Sequence, residues 1–301
     1  MAAAVGLARW LVRPSLARTA SAAEASRDFD RNARLFLRRP PFLCHLVVPG
    51  AGPGRPAMHR ITAGRVMPGR AVLYLHGGAF IAGSPTAYAA LCGRIARLSA
   101  TEVMVPDYPL LPDAVFPAAP DAALAAWEIV LALGHDPGDI VIGGDSAGGN
   151  LAFGLLARVL ARGQRPAGLF AFSPWTDMTL SGESLRTLGP RDPILPVSRM
   201  AEVAATYLAG AEAGDPLASP LFASYPDPPP VLIQVGAEEA LLDDSRRMAD
   251  RLRAAGGTVT LEEWPGAPHV WQMLDGWLPE SRAALKRVGQ FVQTSFASAS
   301  L

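Results

Sequence analysis

The chain has 301 residues, half of them hydrophobic, with 27 basic and 27 acidic side chains. That balance excludes a strongly charged face for nucleic acid or anionic lipid, and the length suits one large core or a core with a small accessory unit. The sequence contains no run of about 18 apolar residues, so no membrane-spanning helix is expected.

Residues 1–23 carry Arg9, Arg13 and Arg18, several serines and no acid before Glu24. Organellar transit peptides share that composition, whereas the absence of a long apolar stretch argues against a secretory signal. No clear cleavage site follows. The expectation is an amphipathic helix around Leu7, Trp10 and Leu11 that packs on the main domain, in a cytoplasmic protein. Residues 1–42 read as short helices broken by Pro14, Pro40 and Pro41. Strands are expected at 44–48 and 59–62, with a turn at 50–56 between them. The two cysteines, Cys44 and Cys92, lie in apolar surroundings without metal-type spacing and are expected as buried thiols, not as a disulfide.

The run 71–76 is continuously apolar up to His76 and suits a parallel strand covered on both faces. Helix 88–98, strand 102–105, helix 121–133 and strand 140–142 follow, then a helix after Ser146 and a strand at 169–172. The order continues with strand 231–235, helix 243–255, strand 259–263 and a last helix starting near Pro279. Alternating strands and helices with short links specify an α/β fold, a mostly parallel sheet with helices on both faces. Between Ser173 and Pro229 the alternation breaks, and only 198–210 looks helical. An interruption of that length is usually functional, and with residues 1–42 it reads as a lid. The prolines within 226–230 make a stiff return to the core.

Chemistry enters at Gly144-Asp145-Ser146-Ala147-Gly148, which follows a buried strand and opens a buried helix. A serine centred in G-x-S-x-G in that context is the nucleophile elbow of a serine hydrolase. The turn is tight, so a Cβ two residues before or after the serine would collide with a crossing element. A phosphate-binding loop would need GxGxxG spacing or a Gly-Lys-Ser/Thr ending, and neither is present.

A serine nucleophile needs a base, a group that orients the base, and donors for the oxyanion. In this kind of fold the acid and the histidine follow the serine in chain order. His45, His59, His76 and His135 precede Ser146, which leaves His269, in a loop just after a strand. The acid should follow strand 231–235, where Glu238, Glu239, Asp243 and Asp244 compete. Either aspartate could cap the next helix, and Glu238 is expected in solvent. Glu239, before the apolar Ala240-Leu241-Leu242, ranks first and Asp243 second. One oxyanion donor is expected from the Ala147 amide, the others from the loop His76-Gly77-Gly78-Ala79-Phe80.

The combination of His76-Gly77-Gly78-Ala79, Gly144-Asp145-Ser146-Ala147-Gly148-Gly149-Asn150 and a late His269 resembles the hormone-sensitive-lipase-like family of α/β-hydrolases, the bacterial family IV carboxylesterases. Val105-Pro106-Asp107-Tyr108, Phe116-Pro117-Ala118-Ala119, Ser173-Pro174-Trp175-Thr176-Asp177 and Asp215-Pro216-Leu217-Ala218-Ser219-Pro220 resemble further family segments. The resemblance implies an α/β-hydrolase fold with an eight-stranded sheet, a catalytic core at 43–177 and 223–301, and a helical cap from 1–42 and 178–222. It implies Gly77, Gly78 and Ala147 as the oxyanion hole, no metal or organic cofactor, a small ester as substrate and a homodimer. Three positions depart from the family pattern: Ala79 stands for a glycine, Pro109 for an arginine, and Glu239 for the usual aspartate.

The resulting expectation is a serine carboxylesterase for short- to medium-chain esters, with Ser146, Glu239 and His269 as the triad. Phe80, Trp175 and Trp271 are candidates for the acyl and alcohol pockets, with plain core packing as the other reading of each. A non-catalytic small-molecule binding protein on the same fold is the alternative function, disfavoured because nucleophile, acid and histidine are all present.

Overall fold

The computed structural model describes residues 22–52 and 54–299. The helix expected around Leu7, Trp10 and Leu11 therefore lies outside the described residues, and the first described element is helix α1 (Ala22–Phe36).

The strands are β1 (Leu43–Val48), β2 (Met58–Ala63), β3 (Ala71–Leu75), β4 (Glu102–Pro106), β5 (Ile140–Asp145), β6 (Gly168–Phe172), β7 (Val231–Gly236) and β8 (Val259–Trp264). They form one eight-stranded sheet in the order β1-β2-β4-β3-β5-β6-β7-β8. Only the β1–β2 and β2–β4 pairs are antiparallel. Every residue of β3, β5, β6 and β7 is buried, which is why these segments are apolar runs and not alternating ones.

Alternate strand residues feed two cores, because successive side chains leave opposite faces of a strand. Leu73, Ile142 and Leu169 pack with helices α3 (Ala118–Ala132), α4 (Ala147–Leu160) and α7 (Leu242–Ala254). Val72, Val141 and Phe170 pack with α2 (Ala89–Ser99) and the long C-terminal helix α8 (Pro279–Ala299). Helix α3 starts three residues before the expected Asp121, because Pro120 falls in its first turn, where a missing amide N–H costs nothing.

Strand register decides where the loops emerge. Leu75 lies opposite Gly144, Asp145 opposite Phe172, and Phe172 opposite Gln234. The loops after β3, β5, β6 and β7 thus leave the same edge of the sheet side by side.

The long connection from β6 to β7 carries two helices, α5 (Glu183–Thr187) and α6 (Met200–Leu208), with single 3-10 turns at Gly189–Arg191, Val197–Arg199 and Pro220–Phe222. The sequence reveals only α6; a five-residue helix is too short to show a period of 3.6. Cys92 is buried as expected, but Cys44 is exposed, because β1 is an outer strand with one paired edge and a largely solvated surface. No described helix is long and apolar enough to cross a membrane.

Candidate active site

Ser146 sits between β5 and α4 with φ 52° and ψ −121°. A non-glycine residue held there stores of order 1–3 kcal/mol, so its surroundings must enforce it. Its amide donates to Phe172 O at 2.9 Å, and its carbonyl accepts the amides of Trp175 at 3.0 Å and Asn150 at 3.1 Å. The two elbow glycines are required as expected. A Cβ at position 144 would lie 2.4 Å from Gly148 O, and one at 148 would lie 2.0 Å from Leu75 O. The Asn150 side chain locks the turn further, donating to Trp175 O and Ala218 O at 2.9 and 2.8 Å.

His269 follows β8, and its Nδ1–H donates to Glu239 Oε2 at 2.7 Å. Glu239 follows β7 and is fully buried. Its other oxygen accepts the Ser173 hydroxyl and the Gly236 amide, each at 2.6 Å. These contacts fix the tautomer, leaving Nε2 as the acceptor on the free edge of the ring. No hydrogen bond joins Ser146 Oγ to the imidazole in this structure, as is common before substrate binds. Burial alone would push the imidazole's pKa down, but the hydrogen bond and charge of Glu239, with the charges of Asp192 and Asp145, leave it above its ordinary value.

Of the four acids, Glu239 is the one in contact with His269. Asp243 accepts the Ser184 amide at 2.8 Å, and Asp244 accepts those of Thr176 and Asp177 at 2.7 and 3.0 Å. Neither caps α7, whose N-cap position is Leu241; both lie in its first turn. Glu238 is exposed.

The loop after β3 corrects one assignment. The Gly77 amide donates to Asp145 Oδ1 at 2.9 Å, so it points into the core and cannot serve an oxyanion. The next two amides, of Gly78 and Ala79, have no protein acceptor among the described residues. Gly78 has φ 122°, and a Cβ there would lie 1.9 Å from Ala82 O. Ala79 adopts φ 55°, a left-handed conformation that its small side chain tolerates. The Ala147 amide opens α4 and has no partner within its helix. Among the described residues, the amides of Gly78, Ala79 and Ala147 around the elbow are thus left without a protein acceptor.

Sequence reasoning missed the group that sets this arrangement. Asp145 is buried and accepts Tyr74 Oη at 2.8 Å and Tyr88 Oη at 2.9 Å besides Gly77. Burial pushes its carboxyl up to about 6 against the pull of those three donors. The signal was present: a carboxylate ending an otherwise apolar buried strand needs partners. Below the loop, His76 stacks on Tyr108 at 4.3 Å, and burial pushes its pKa down to about 4, which keeps it neutral.

The pocket candidates divide. Phe80 and Trp175 come together, ring centroids 6.4 Å apart, and Tyr207 of α6 stacks on Phe80 at 3.8 Å. Nothing in the sequence singles out Tyr207 within its helix. Trp271 lies elsewhere: it is fully buried against Trp264, Ala267 and Ala284 of α8, so core packing describes it. Among the described residues no group of three or more His, Cys, Asp or Glu is arranged to hold a metal.

Comparison with known proteins places the chain among hydrolases of this fold. The family described as alpha/beta hydrolase fold matches residues 72–273. An acetyl-hydrolase of Streptomyces hygroscopicus is 39% identical over 75% of this chain and 76% of its own. The crystal structure of an esterase from the bacterial hormone-sensitive lipase family superposes with a TM-score of 0.89 at 34% identity, covering 97% of this chain and 96% of that one. An esterase crystal soaked with p-nitrophenyl butyrate gives a TM-score of 0.91 at 33% identity over 98% of both chains. With the serine elbow and a matching fold over nearly its whole length, the chain belongs to the hormone-sensitive-lipase-like family of α/β-hydrolases, the family IV carboxylesterases, and is a carboxylic-ester hydrolase.

Proposed function

We propose that Ser146, His269 and Glu239 hydrolyse short- to medium-chain carboxylic esters through an acyl-enzyme. Ser146 Oγ attacks the ester carbonyl as its proton passes to His269 Nε2, and Glu239 steadies the imidazolium. The developing oxyanion is held by the amides of Gly78, Ala79 and Ala147, each such donor being worth about 10²–10³-fold in rate. The alcohol leaves with the proton from His269. Water then attacks the acyl-enzyme, with His269 again as base.

The observation that carries this reading is the 2.7 Å contact between His269 and a fully buried Glu239, on the same sheet edge as a strained Ser146. Residues 178–222 act as cap, supported by Tyr207 of α6 covering Phe80. The aromatic group Phe80, Trp175 and Tyr207 limits the acyl or alcohol site, which supports small esters. A relative named acetyl-hydrolase and a neighbour soaked with a butyrate ester point the same way. Residues 22–42 join the cap in this proposal. A homodimer is proposed through the unpaired outer edge of β8, together with a cytoplasmic location.

Steady-state hydrolysis of p-nitrophenyl butyrate tests the assignment. Ser146→Ala should lower kcat/KM by about 10³-fold or more. Activity surviving that change would mean that another group is the nucleophile.

A further inference from the structure

Asp192 has no part in the chemistry above. It lies in the β6–β7 insertion, just after the Gly189–Arg191 turn, and is fully buried. Its Oδ1 accepts the amides of Ile194 and Leu195, both at 2.8 Å. Its Oδ2 crosses to the catalytic core and accepts the amide of Ala240, also at 2.8 Å. Ala240 is the residue after Glu239. Among the described residues no arginine or lysine pairs with Asp192.

That arrangement is costly for a purely structural link. Three amides need acceptors, and a neutral side chain can accept. A buried carboxylate without a counter-ion carries a desolvation penalty of several kcal/mol. The cation it can serve appears only during turnover. The carboxylates that bear on the His269 imidazole are Glu239 in direct contact, with Asp192 and Asp145 at longer range. When the Ser146 proton reaches Nε2, the ring becomes a cation in a dry site, where fixed negative charge acts strongly.

We propose that Asp192 is a positioning residue of the triad: its carboxylate ties the insertion to the turn that presents Glu239, and adds a second negative charge at that turn as the imidazolium forms. The proposal rests on the catalytic reading above. It gives the insertion two holds on the machinery. Tyr207 stacks against Phe80 beside the oxyanion loop, and Asp192 grips the acid loop.

The test uses the full chain, p-nitrophenyl butyrate and pH profiles of kcat and kcat/KM. In Asp192→Asn a carbonyl can still accept Ile194 and Leu195, but the new NH₂ meets the Ala240 N–H donor to donor. We expect kcat to fall about 10-fold or more with KM within about 3-fold, since the loss is felt in the transition state. We expect the acid limb of kcat/KM to move down by about 0.5 pH unit or more, because removing a negative charge disfavours the imidazolium. Asp192→Glu keeps the charge and should hold the limb closer to its wild-type position. Asp215→Asn is the structural control: Asp215 also accepts a backbone amide within the insertion, that of Leu217 at 2.8 Å, and its loss should leave the limb in place.

An Asp192→Asn variant with an unmoved limb and kcat within 2-fold would overturn the proposal, as would an equal shift in Asp215→Asn. Failure of both Asp192 variants to fold would assign the residue to the fold alone and overturn it too. Wild-type turnover and its loss in Ser146→Ala are measured in the same series. A failure of the catalytic reading therefore shows there, whatever Asp192 does.

Discussion

The elbow around Ser146 and the insertion between β6 and β7 border the same site but are built by different means. At the elbow the backbone itself is the instrument. Positive φ at Ser146, two glycines whose Cβ positions fall on carbonyl oxygens, and strand register bring the loops after β3, β5 and β6 together. In the insertion, side chains do the placing. Asp192 holds Ala240, Ser184 and Asp243 bind each other's amides, and Tyr207 stacks on Phe80. Backbone placement is steep: one added carbon has nowhere to go. Side-chain placement is graded, so one contact can be weakened while the fold remains.

The elbow should break hardest. In Gly148→Ala the new Cβ meets Leu75 O at 2.0 Å and His76 O at 2.3 Å, and both are backbone atoms of the sheet edge. We expect a destabilisation above about 3 kcal/mol with loss of hydrolysis, read by urea unfolding and turnover. A variant of near wild-type stability and rate would show that the elbow can relax.

Next comes the acid. Glu239→Gln should keep the contact to His269 but lose the charge, lowering kcat by about 10²–10⁴-fold. Asp243→Asn, which perturbs the Ser184 contact and a long ion pair with Arg246, should stay within about 3-fold. Reversal of that order would move the triad acid to Asp243.

How much of this was readable follows the same division. The strand–turn–helix at Ser146, the loop that carries His269, the sheet and most helices were legible, because glycine spacing, chain order and apolar periodicity are local signals. The segment after β3 was legible as a loop, but which of its amides are left free was not. Gly77 is turned inward by a carboxylate on the neighbouring strand, a tertiary fact that a Gly-Gly pair does not encode. Trp271 misled because closeness in sequence to His269 does not say which side of the loop a ring takes. Asp192, Tyr207 and α5 left no mark, since their roles lie in contacts between distant segments.

The smallest expected effect is on stability. Burial first, and the charge of Asp177 second, push Asp244 up to about 7, against the hydrogen bonds from the Thr176 and Asp177 amides and the charge of Arg247. Its folded pKa thus lies above the ordinary carboxylate value, so the folded state holds the proton more tightly. Stability is full at low pH and declines as pH rises from about 4 through about 7. Asp244→Asn removes that decline. The Tm of the variant relative to wild type should rise between pH 5 and about pH 7 and level off above that. A difference independent of pH would mean that Asp244 is ionised throughout.

The central claim is that Ser146 is the activated nucleophile and His269 its base. Intact-mass and peptide mass spectrometry after treatment with a fluorophosphonate tests it most directly. The account predicts one adduct per chain, on the peptide containing Ser146, formed at a rate that falls with pH below the His269 pKa and is lost in His269→Ala. An adduct on another residue, or labelling of Ser146 that continues undiminished in His269→Ala, would contradict it.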